Sequence, residues 1–177
     1  MKYFSALFFA CSLLLLSGCS TTNKDIQITA EHEPSSIFSE YKSYDWLGAA
    51  AILNDPENAW KSVGVDVAGD LKYLIDRELR KRQLFKTSGR PDLAVSFFVG
   101  VNMDNQELKI DEETKIELKK TIPKAGLVVV LSEVTSGKIV WMGIATGDVQ
   151  KNRTPELVRE RLDFAVTEMF KLFPTSK

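Results

Sequence analysis

Three side chains in the sequence could supply thiol or imidazole chemistry, and they are Cys11, Cys19 and His32. One histidine excludes a zinc site built from several histidines, and two cysteines exclude a cysteine-rich zinc site. A Ser-His-Asp triad would have to use His32. That residue lies between two glutamates at the end of a predicted strand, where an exposed structural role is expected. The residue types therefore predict no metal ion, no cofactor and no catalytic residue.

Asp92 and Glu133 are the two carboxylates that a hydrolytic reaction would use. Glycoside hydrolysis needs two carboxyl groups roughly 5 to 9.5 Å apart in a cleft. Asp92 stands at the start of a predicted strand and Glu133 near a predicted turn, where capping or turn hydrogen bonds explain each of them. The sequence contains no Gly-x-Ser-x-Gly motif and no phosphate-binding loop. An enzyme is therefore the alternative hypothesis and not the main one.

Cys19 ends an N-terminal leader. Lys2 is followed by an apolar run of 13 residues from Phe4 to Leu16. This layout is typical of a secretory signal peptide, and the run is shorter than the ~20 residues that a membrane-spanning helix needs. The last four residues, Leu16-Ser17-Gly18-Cys19, resemble the lipobox of bacterial lipoproteins.

The lipobox resemblance implies cleavage before Cys19 and attachment of several acyl chains, such as palmitate, to that residue. Two or more chains anchor a protein stably in a membrane, because each buried CH₂ contributes about 0.8 kcal/mol. Ser20, and not aspartate, follows the cysteine. In lipoproteins of enteric-type bacteria this implies transfer to the outer membrane, with the domain facing the periplasm. Cys11 would leave with the leader, so the mature protein would have no free thiol and no disulfide.

The remaining chain has the size and composition of one globular domain. Residues 1–18 are predicted to be the signal peptide, residues 19–25 a lipidated tether and residues 26–177 a single α+β domain. Hydrophobic residues make up 44% of the sequence and charged residues 27%, which is typical of globular proteins. Without Lys2 the chain has 22 basic and 24 acidic residues. This balance lacks the basic excess of a nucleic-acid-binding protein, so no nucleic acid partner is expected.

Apolar alternation predicts most of the strands. Residues 26–30 alternate as a half-buried strand, and residues 93–103 have one wholly apolar face. Residues 108–118 predict one long solvated strand, or two short ones, on a sheet edge. The acidic group within residues 104–113 lacks the spacing of an EF-hand and indicates a solvated face. Residues 126–149 predict a β-hairpin around a turn at residues 135–138.

Two segments have helical periodicity. The first is predicted to have Asp55 as its N-cap and Pro56 as its first residue, and to end in the basic residues 80–82, which complement the helix dipole. The second is predicted to start with the cap Thr154 and Pro155, and to stop at Pro174. The apolar stripes are Val63, Val67, Leu71, Leu74, Ile75 and Leu79 in the first helix, and Val158, Leu162, Ala165, Val166, Met169, Leu172 and Phe173 in the second.

This order of elements predicts an α+β fold. Sequential strands with short loops favour antiparallel neighbours, and two amphipathic helices can cover one apolar face. The predicted architecture is a two-layer sandwich, with a mainly antiparallel sheet and two amphipathic helices packed on one face. Tyr44 and Trp46 lie two residues apart on one face of a predicted strand. We interpret them, with Phe38 and Tyr41, as core filling in preference to an aromatic ligand platform.

Several motifs resemble the bacterial lipoprotein family called domain of unknown function 4136. Its pattern has an aromatic segment near the start, a Pro-Asp-Leu-x-Val strand, a glycine-led hairpin and a C-terminal helix that ends in Phe-Pro. Met142 stands where the family usually has arginine, and Glu133 where aspartate is common, so a role for a charged group at residue 142 is not expected. The family residues that match, with mainly structural roles, are Phe38, Tyr41, Tyr44, Trp46, Pro91, Asp92, Gly126, Gly137, Trp141 and Gly143.

Three functions are compatible with these observations. The main hypothesis is a membrane-anchored envelope lipoprotein that presents a non-enzymatic periplasmic domain and binds a protein or an envelope component. An edge strand, or an exposed Trp46 or Trp141, could serve such a partner. The alternatives are a carboxylate-dependent envelope hydrolase and a carrier of a small apolar ligand. The carrier would need a cavity between helices and sheet, lined by residues such as Phe98 or Trp141.

Overall fold

The structure, a computed structural model, describes residues 23–47, 51–53, 64–101, 108–110, 116–118, 125–149 and 154–174. The predicted leader, Cys19 and the acidic residues 104–107 and 111–113 lie outside this part of the chain. The described elements are β1 (Gln27–His32), β2 (Ser43–Trp46), β3 (Ala51–Leu53), α1 (Val67–Lys81), β4 (Phe85–Lys86), β5 (Leu93–Val101), β6 (Leu108–Ile110), β7 (Ile116–Leu118), β8 (Ala125–Glu133), β9 (Ile139–Gly147) and α2 (Pro155–Lys171).

The central sheet is mixed, and its longest strands are antiparallel. The strand order is β1-β9-β8-β5-β2-β4, and β3 also pairs with β5. The strands β5, β8 and β9 have nine residues each and pair antiparallel, as does β1 with β9. In contrast, β2 and β3 follow each other along one edge of β5 and run parallel to it. The connection from β3 to β5 contains α1, and parallel neighbours require a crossover of this kind.

Both helices pack on one face of the sheet, which confirms the predicted two-layer α+β sandwich. The apolar face of β5 is buried at Leu93, Val95, Phe97 and Val99, as its alternation predicts. The same core contains the buried stripes of α1 and α2 and the inward side chains of β8 and β9. Tyr44 belongs to this core with 2% of its surface exposed, and Phe38, Tyr41 and Trp46 pack against it half-buried.

The predicted start of the first helix is wrong. Helix α1 begins at Val67, and the Asp66 side chain caps it by accepting a hydrogen bond from the Gly69 N–H at 3.0 Å. Gly64 has φ +74°, a left-handed conformation that an α-helix does not contain. A helix that starts at Pro56 therefore cannot continue into α1. The predicted cap at residues 55–56 lies outside the described residues.

The second helix and the hairpin are as predicted. The Thr154 hydroxyl accepts a hydrogen bond from the Leu157 N–H at 3.2 Å, and Pro155 is the first helical residue. Strands β8 and β9 form the hairpin, with Gly137 at φ +72° in its turn. One residue of the predicted stripe differs, because Leu172 is half exposed. Phe170, which the predicted stripe omits, is fully buried in the core together with Met169 and Phe173.

Residues 108–118 contain two short strands and not one long strand. Strands β6 and β7 pair antiparallel with each other, with Leu108 opposite Leu118 and Ile110 opposite Ile116. They form a separate two-stranded sheet, so the predicted place on the edge of the main sheet is wrong. The chain leaves the main sheet at the end of β5 to form this hairpin and returns to it at the start of β8.

The opposite face of the sheet has an apolar cluster of its own. Val128, Val130 and Met142 are buried, and Phe98 and Ile144 pack against them half-buried. None of the α1 or α2 residues belongs to this cluster. Met142 stands opposite Val130 on β8 and opposite Glu31 on β1, so the residue at the family's arginine position is part of an apolar face in this protein.

Candidate functional site

Asp92 fixes the start of β2 against the start of β5. One of its carboxylate oxygens accepts hydrogen bonds from the Lys42 N–H, the Ser43 N–H and the Ser43 hydroxyl, each at 2.8 Å. The Lys42 N–H, followed by the Ser43 donors, holds the pKa of Asp92 below its usual range. Asp92 is thus a cap between two segments that lie fifty residues apart.

Glu133 lies at the same end of the sheet as Asp92. Its Oε1 accepts a long hydrogen bond of 3.4 Å from the Tyr41 hydroxyl, and its Oε2 accepts one from the Ser136 hydroxyl in the turn. Burial, followed by the nearby Glu133 charge, raises the pKa of Tyr41. Leu93 pairs with Glu133 across β5 and β8, so the structure brings the two predicted carboxylates to neighbouring strand ends. Each of them is occupied by structural donors.

Tyr44 and Trp46 share one carboxylate on α1. The Tyr44 hydroxyl donates to Asp76 Oδ1 at 2.6 Å, and the Trp46 indole N–H donates to the same oxygen at 3.1 Å. Burial, together with this bond, raises the pKa of Tyr44. The Lys72 ammonium group lies 5.7 Å from the centre of the Trp46 ring, a cation–π distance. These aromatic residues connect β2 with α1 and do not form an open platform.

Trp141 and Gly143 form a close contact between β9 and α2. Trp141 is fully buried, and its ring centre lies 5.0 Å from that of Phe170 and 5.4 Å from that of Phe173. A Cβ at residue 143 would come within 2.5 Å of the Met169 sulfur and 2.6 Å of the Trp141 ring. The Trp-x-Gly pattern is therefore a packing requirement, and Trp141 is not available as an exposed partner contact.

The remaining family residues have backbone roles. Gly137 donates its N–H to the Glu133 carbonyl at 2.8 Å, which closes the β8–β9 turn. Gly126 lies in β8 between Gly100 and Thr146. Phe38 contacts Phe173 edge-to-face at 5.2 Å, so the aromatic segment before β2 also reaches the end of α2.

Arg82 and Glu78 are central residues that the sequence analysis did not identify. Glu78 is 3% exposed and accepts hydrogen bonds from Lys81 and Arg82, with Arg77 in ion-pair contact at 3.0 Å. Burial raises the pKa of Glu78, but the Lys81 and Arg82 hydrogen bonds outweigh it and lower the pKa overall. Arg82 also donates to the Phe170 carbonyl and lies over the Phe170 ring at 5.2 Å. Arg82 belongs to the basic residues 80–82, which were predicted only to complement the dipole of the first helix. The structure shows that it also joins the two helices.

A pocket of about 100 Å³ lies between α2 and the end of the sheet where β1 and β8 begin. Its walls are almost entirely apolar. The Arg161 guanidinium lies at the pocket and donates to both carboxylate oxygens of Asp25, at 2.8 and 2.7 Å. Neither Phe98 nor Trp141 lines it, because Phe98 lies on the opposite face and Trp141 is packed deeper along α2. The apolar lining consists mainly of Ile26, Val99, Leu127, Ala145, Val149, Leu157, Val158, Leu162 and Ala165.

Two absences concern only the part of the chain that the structure describes. It contains no group of three or more His, Cys, Asp or Glu side chains that could hold a metal ion. None of its helices is long and apolar enough to cross a membrane. His32, on the exposed end of β1, contacts the Phe38 ring at 6.1 Å between centres. The features that remain are a pocket, a sheet edge and a network of structural hydrogen bonds.

The fold and these contacts define a small two-layer α+β domain with structural aromatic and glycine motifs. Residues 29–175 match the family described as domain of unknown function (DUF4136). The chain belongs to this family. No curated protein matches the sequence significantly.

Solved structures share the fold at low sequence identity. A DUF4136 family protein from Bacteroides thetaiotaomicron is similar with a TM-score of 0.56 and 10% identity, over 81% of this chain and 95% of that chain. A PDZ domain protein from Parabacteroides distasonis is similar with a TM-score of 0.53 and 13% identity, over 89% of this chain and 38% of that chain. At such identities the likeness concerns the fold alone.

Proposed function

We propose that this protein is an envelope lipoprotein, anchored through lipid on Cys19, whose α+β domain binds a protein or another envelope component without catalysing a reaction. The observation that carries the proposal is the sequence Leu16-Ser17-Gly18-Cys19, placed just before the folded domain. Asp25, only six residues after Cys19, is already tied to Arg161 on α2. Six extended residues span at most about 20 Å, so the domain would stay close to the membrane surface.

The use of the two carboxylates favours binding over hydrolysis. Asp92 caps β2, and Glu133 accepts from Tyr41 and from the turn residue Ser136. A general acid or a nucleophile needs a carboxyl group that can reach a substrate, and these two are occupied in holding strand ends together. The hydrolase hypothesis therefore has no specific observation in its favour.

The edge strand β1 is the element best suited to a protein partner. Among the described strands it pairs only with β9, so its other side presents backbone N–H and C=O groups for an added strand. Glu31 and His32 are exposed near the end of this strand and would give such a contact a polar border. The proposal includes transfer to the outer membrane, which the serine at position 20, directly after Cys19, implies.

Membrane fractionation of the variant Cys19→Ala tests the anchor. We expect the variant to carry no lipid and to appear in the soluble envelope fraction. The parent protein should appear in the membrane fraction. Cys11→Ala is the matched control, because it removes the other thiol of the leader and should leave the protein in the membrane. Retention of Cys19→Ala in the membrane would contradict the anchor.

Photocrosslinking in cells tests the binding role. A photoreactive residue at Thr29, on β1, should capture one dominant envelope partner. The same residue at Arg159, exposed on α2, is the control position and should capture that partner much less. Equal background at both positions would contradict binding through the β1 edge.

A further inference from the structure

We propose that the pocket beside Arg161 binds the hydrocarbon end of an acyl chain from a lipid of the surrounding bilayer. The inference rests on the proposed lipid anchor, because the anchor holds the pocket near that bilayer. It goes beyond that proposal by assigning a ligand class to a site that neither the anchor nor the edge strand uses.

The walls of the pocket fit a saturated chain. Side chains from five elements or their flanks meet there, and most of those that line the space are aliphatic, including Ile26, Leu127 and Leu162. Small residues in β9 and α2, Ala145 and Ala165, leave room that larger side chains would fill. Aliphatic walls without a stacking ring suit methylene groups and provide no specific contact for an aromatic or polar ligand.

The size of the pocket sets how much of the chain it can hold. Apolar cavities of about 150 Å³ remain dry and bind benzene. The present pocket has about 100 Å³ and is open to the outside, so it accepts the last few carbons of a longer chain. The rest of that chain would continue through the opening. A complete lipid does not fit inside.

The charged groups beside the pocket favour entry of an uncharged end of the ligand. Arg161 donates to both oxygens of Asp25, and the Asp148 N–H donates to Asp25 Oδ2 at 2.7 Å. Arg161 also reaches the Asp148 carbonyl at 3.3 Å. Because the guanidinium is neutralised by this carboxylate, a ligand carboxylate or phosphate gains little from it. The chain therefore enters with its methyl end first.

The position of the pocket points to a membrane lipid as the source. Ile26 lines the pocket and comes seven residues after Cys19, a span of at most about 25 Å. The strand ends at this side of the sheet are the start of β1, the start of β8 and the end of β9. A lipid on Cys19 would therefore keep the pocket within about 25 Å of the bilayer surface.

The test uses the full lipidated protein in vesicles of phosphatidylethanolamine and phosphatidylglycerol. A fraction of the phosphatidylethanolamine carries a photoreactive diazirine at the methyl end of one acyl chain. After irradiation, mass spectrometry should find adducts in the segments 145–149 and 157–165. Ala145→Leu and Ala165→Leu fill the pocket and should reduce these adducts at least tenfold. Ala94→Leu, on β5 outside the pocket, is the matched control and should leave them unchanged.

A third pocket variant, Leu157→Ser, tests whether a loss of adducts reflects the pocket and not a loss of folding. Leu157 is half-buried at the first turn of α2, so Leu157→Ser makes the pocket polar without removing a core side chain. We expect it to reduce the adducts as well, with an unchanged circular dichroism spectrum. Adducts that persist in all three variants, or that are no more frequent in the pocket segments than around Ala94, would overturn the proposal.

Two further experiments distinguish binding of lipid in the pocket from attachment of the protein through its anchor. The Cys19→Ala protein, added to the same vesicles, should give adducts in the same segments but at a lower yield, because no anchor holds it at the bilayer. Diazirine fatty acid incorporated only into the lipid on Cys19 should label the pocket poorly. Labelling from Cys19 alone would overturn the assignment to bilayer lipid. Failure of lipidation with retained pocket labelling would count against the anchor only.

Discussion

At Gly143 the space that a side chain would occupy is already filled by its neighbours. The Trp141 ring and the Met169 side chain lie over the glycine from the same strand and from α2. Both neighbours are fully buried, so neither can move aside without opening a gap elsewhere. At the scale of single residues, the family's Trp-x-Gly pattern is a matter of volume and not of chemistry.

Gly143→Ala should destabilise the protein by about 1–3 kcal/mol, because the new methyl group overpacks the contact between β9 and α2. Urea unfolding monitored by tryptophan fluorescence measures this change. Gly89→Ala is the matched control, since a Cβ there would meet only the Thr87 hydroxyl at an ordinary 3.6 Å. Similar unfolding midpoints for the two variants would show that the Trp141–Gly143 contact can relax.

Asp25 gives the protein a specific dependence on pH. Its bonds to Arg161 lower the pKa of the carboxyl from 3.8 to about 2. The charged form is favoured by folding, so this stabilisation is complete above pH 4 and is lost as the pH falls through 2. After allowance for partial exposure, we expect Asp25→Asn to cost about 1–2 kcal/mol at pH 7.

The stability difference between Asp25→Asn and the parent should shrink between pH 4 and pH 2. Urea unfolding at a series of pH values measures it. Glu31→Gln, an exposed carboxyl on β1, serves as the control and should follow the parent curve. A constant difference down to pH 2 would mean that the ion pair contributes through packing and not through charge.

The two helices are joined at their C-terminal ends by one side chain. Arg82, the C-cap residue of α1, donates to the carbonyl of Glu78 on its own helix and to that of Phe170 on α2. Its guanidinium also lies over two rings, those of Phe170 and Phe173. Only a planar group with several donors makes all these contacts at once. At the scale of elements, Arg82 therefore holds the C-terminal ends of α1 and α2 together, and Arg77 adds hydrogen bonds to Asp163 and Thr167 further along the same contact.

Arg82→Lys should destabilise the protein by about 1–2 kcal/mol, because lysine keeps the charge but loses the forked contact. Arg80→Lys makes the same change two residues earlier, at an exposed side chain, and should alter stability by less than about 0.5 kcal/mol. Thermal unfolding of both variants provides the comparison. Equal effects at the two positions would show that Arg82 acts through charge alone.

Local signals predicted those elements whose caps and turns lie within a few residues. Thr154 and Pro155 start α2, and the glycine turn at residue 137 closes the β8–β9 hairpin, as the sequence indicates. The start of α1 was predicted wrongly because Asp55-Pro56 and Asp66 both offer cap chemistry. The left-handed backbone at Gly64, which decides between them, leaves no sequence signature beyond the glycine itself.

Contacts between distant segments were not predictable in the same way. Capping or turn hydrogen bonds were expected for Asp92, but nothing in the sequence near it indicates that its partners are residues 42 and 43. The joint hydrogen bonds of Tyr44 and Trp46 to Asp76, and the contacts of Arg82 with α2, depend on how helices and sheet are arranged. The pocket could not be predicted from the sequence either, because its lining comes from five separate parts of the chain. Periodicity tells which face is buried and not which residues meet there.

The whole molecule has its most protected backbone at the centre of the sheet. Strand β8 pairs along its full length with β5 on one side and with β9 on the other. Among the described strands, β1 pairs on one side only, and β4 contributes two residues to the opposite edge. Local opening should therefore begin at the edges and reach β8 only when the entire fold is lost.

Hydrogen exchange should reproduce this order. We expect the slowest exchange at residues 128–131 of β8, with a rate close to that of global unfolding, and much faster exchange at Phe85, Lys86 and along β1. Mass spectrometry of peptide fragments measures the rates. Faster exchange in β8 than in β1 would contradict the sheet order. A partner that adds a strand to β1 should slow exchange there and leave β8 unchanged.

The nine-residue strand β5 separates the two ends of the domain. The pocket and Asp25 lie at its C-terminal end, whereas Asp92, Phe85 and Val134 lie near its start, the last two with exposed apolar side chains. Nine residues at about 3.3 Å each make this distance roughly 30 Å. In an anchored protein, β5 would act as a rigid spacer that sets the height of the outer end above the bilayer. Inserting residues directly after Cys19 would then change that height without altering any of the described contacts inside the domain.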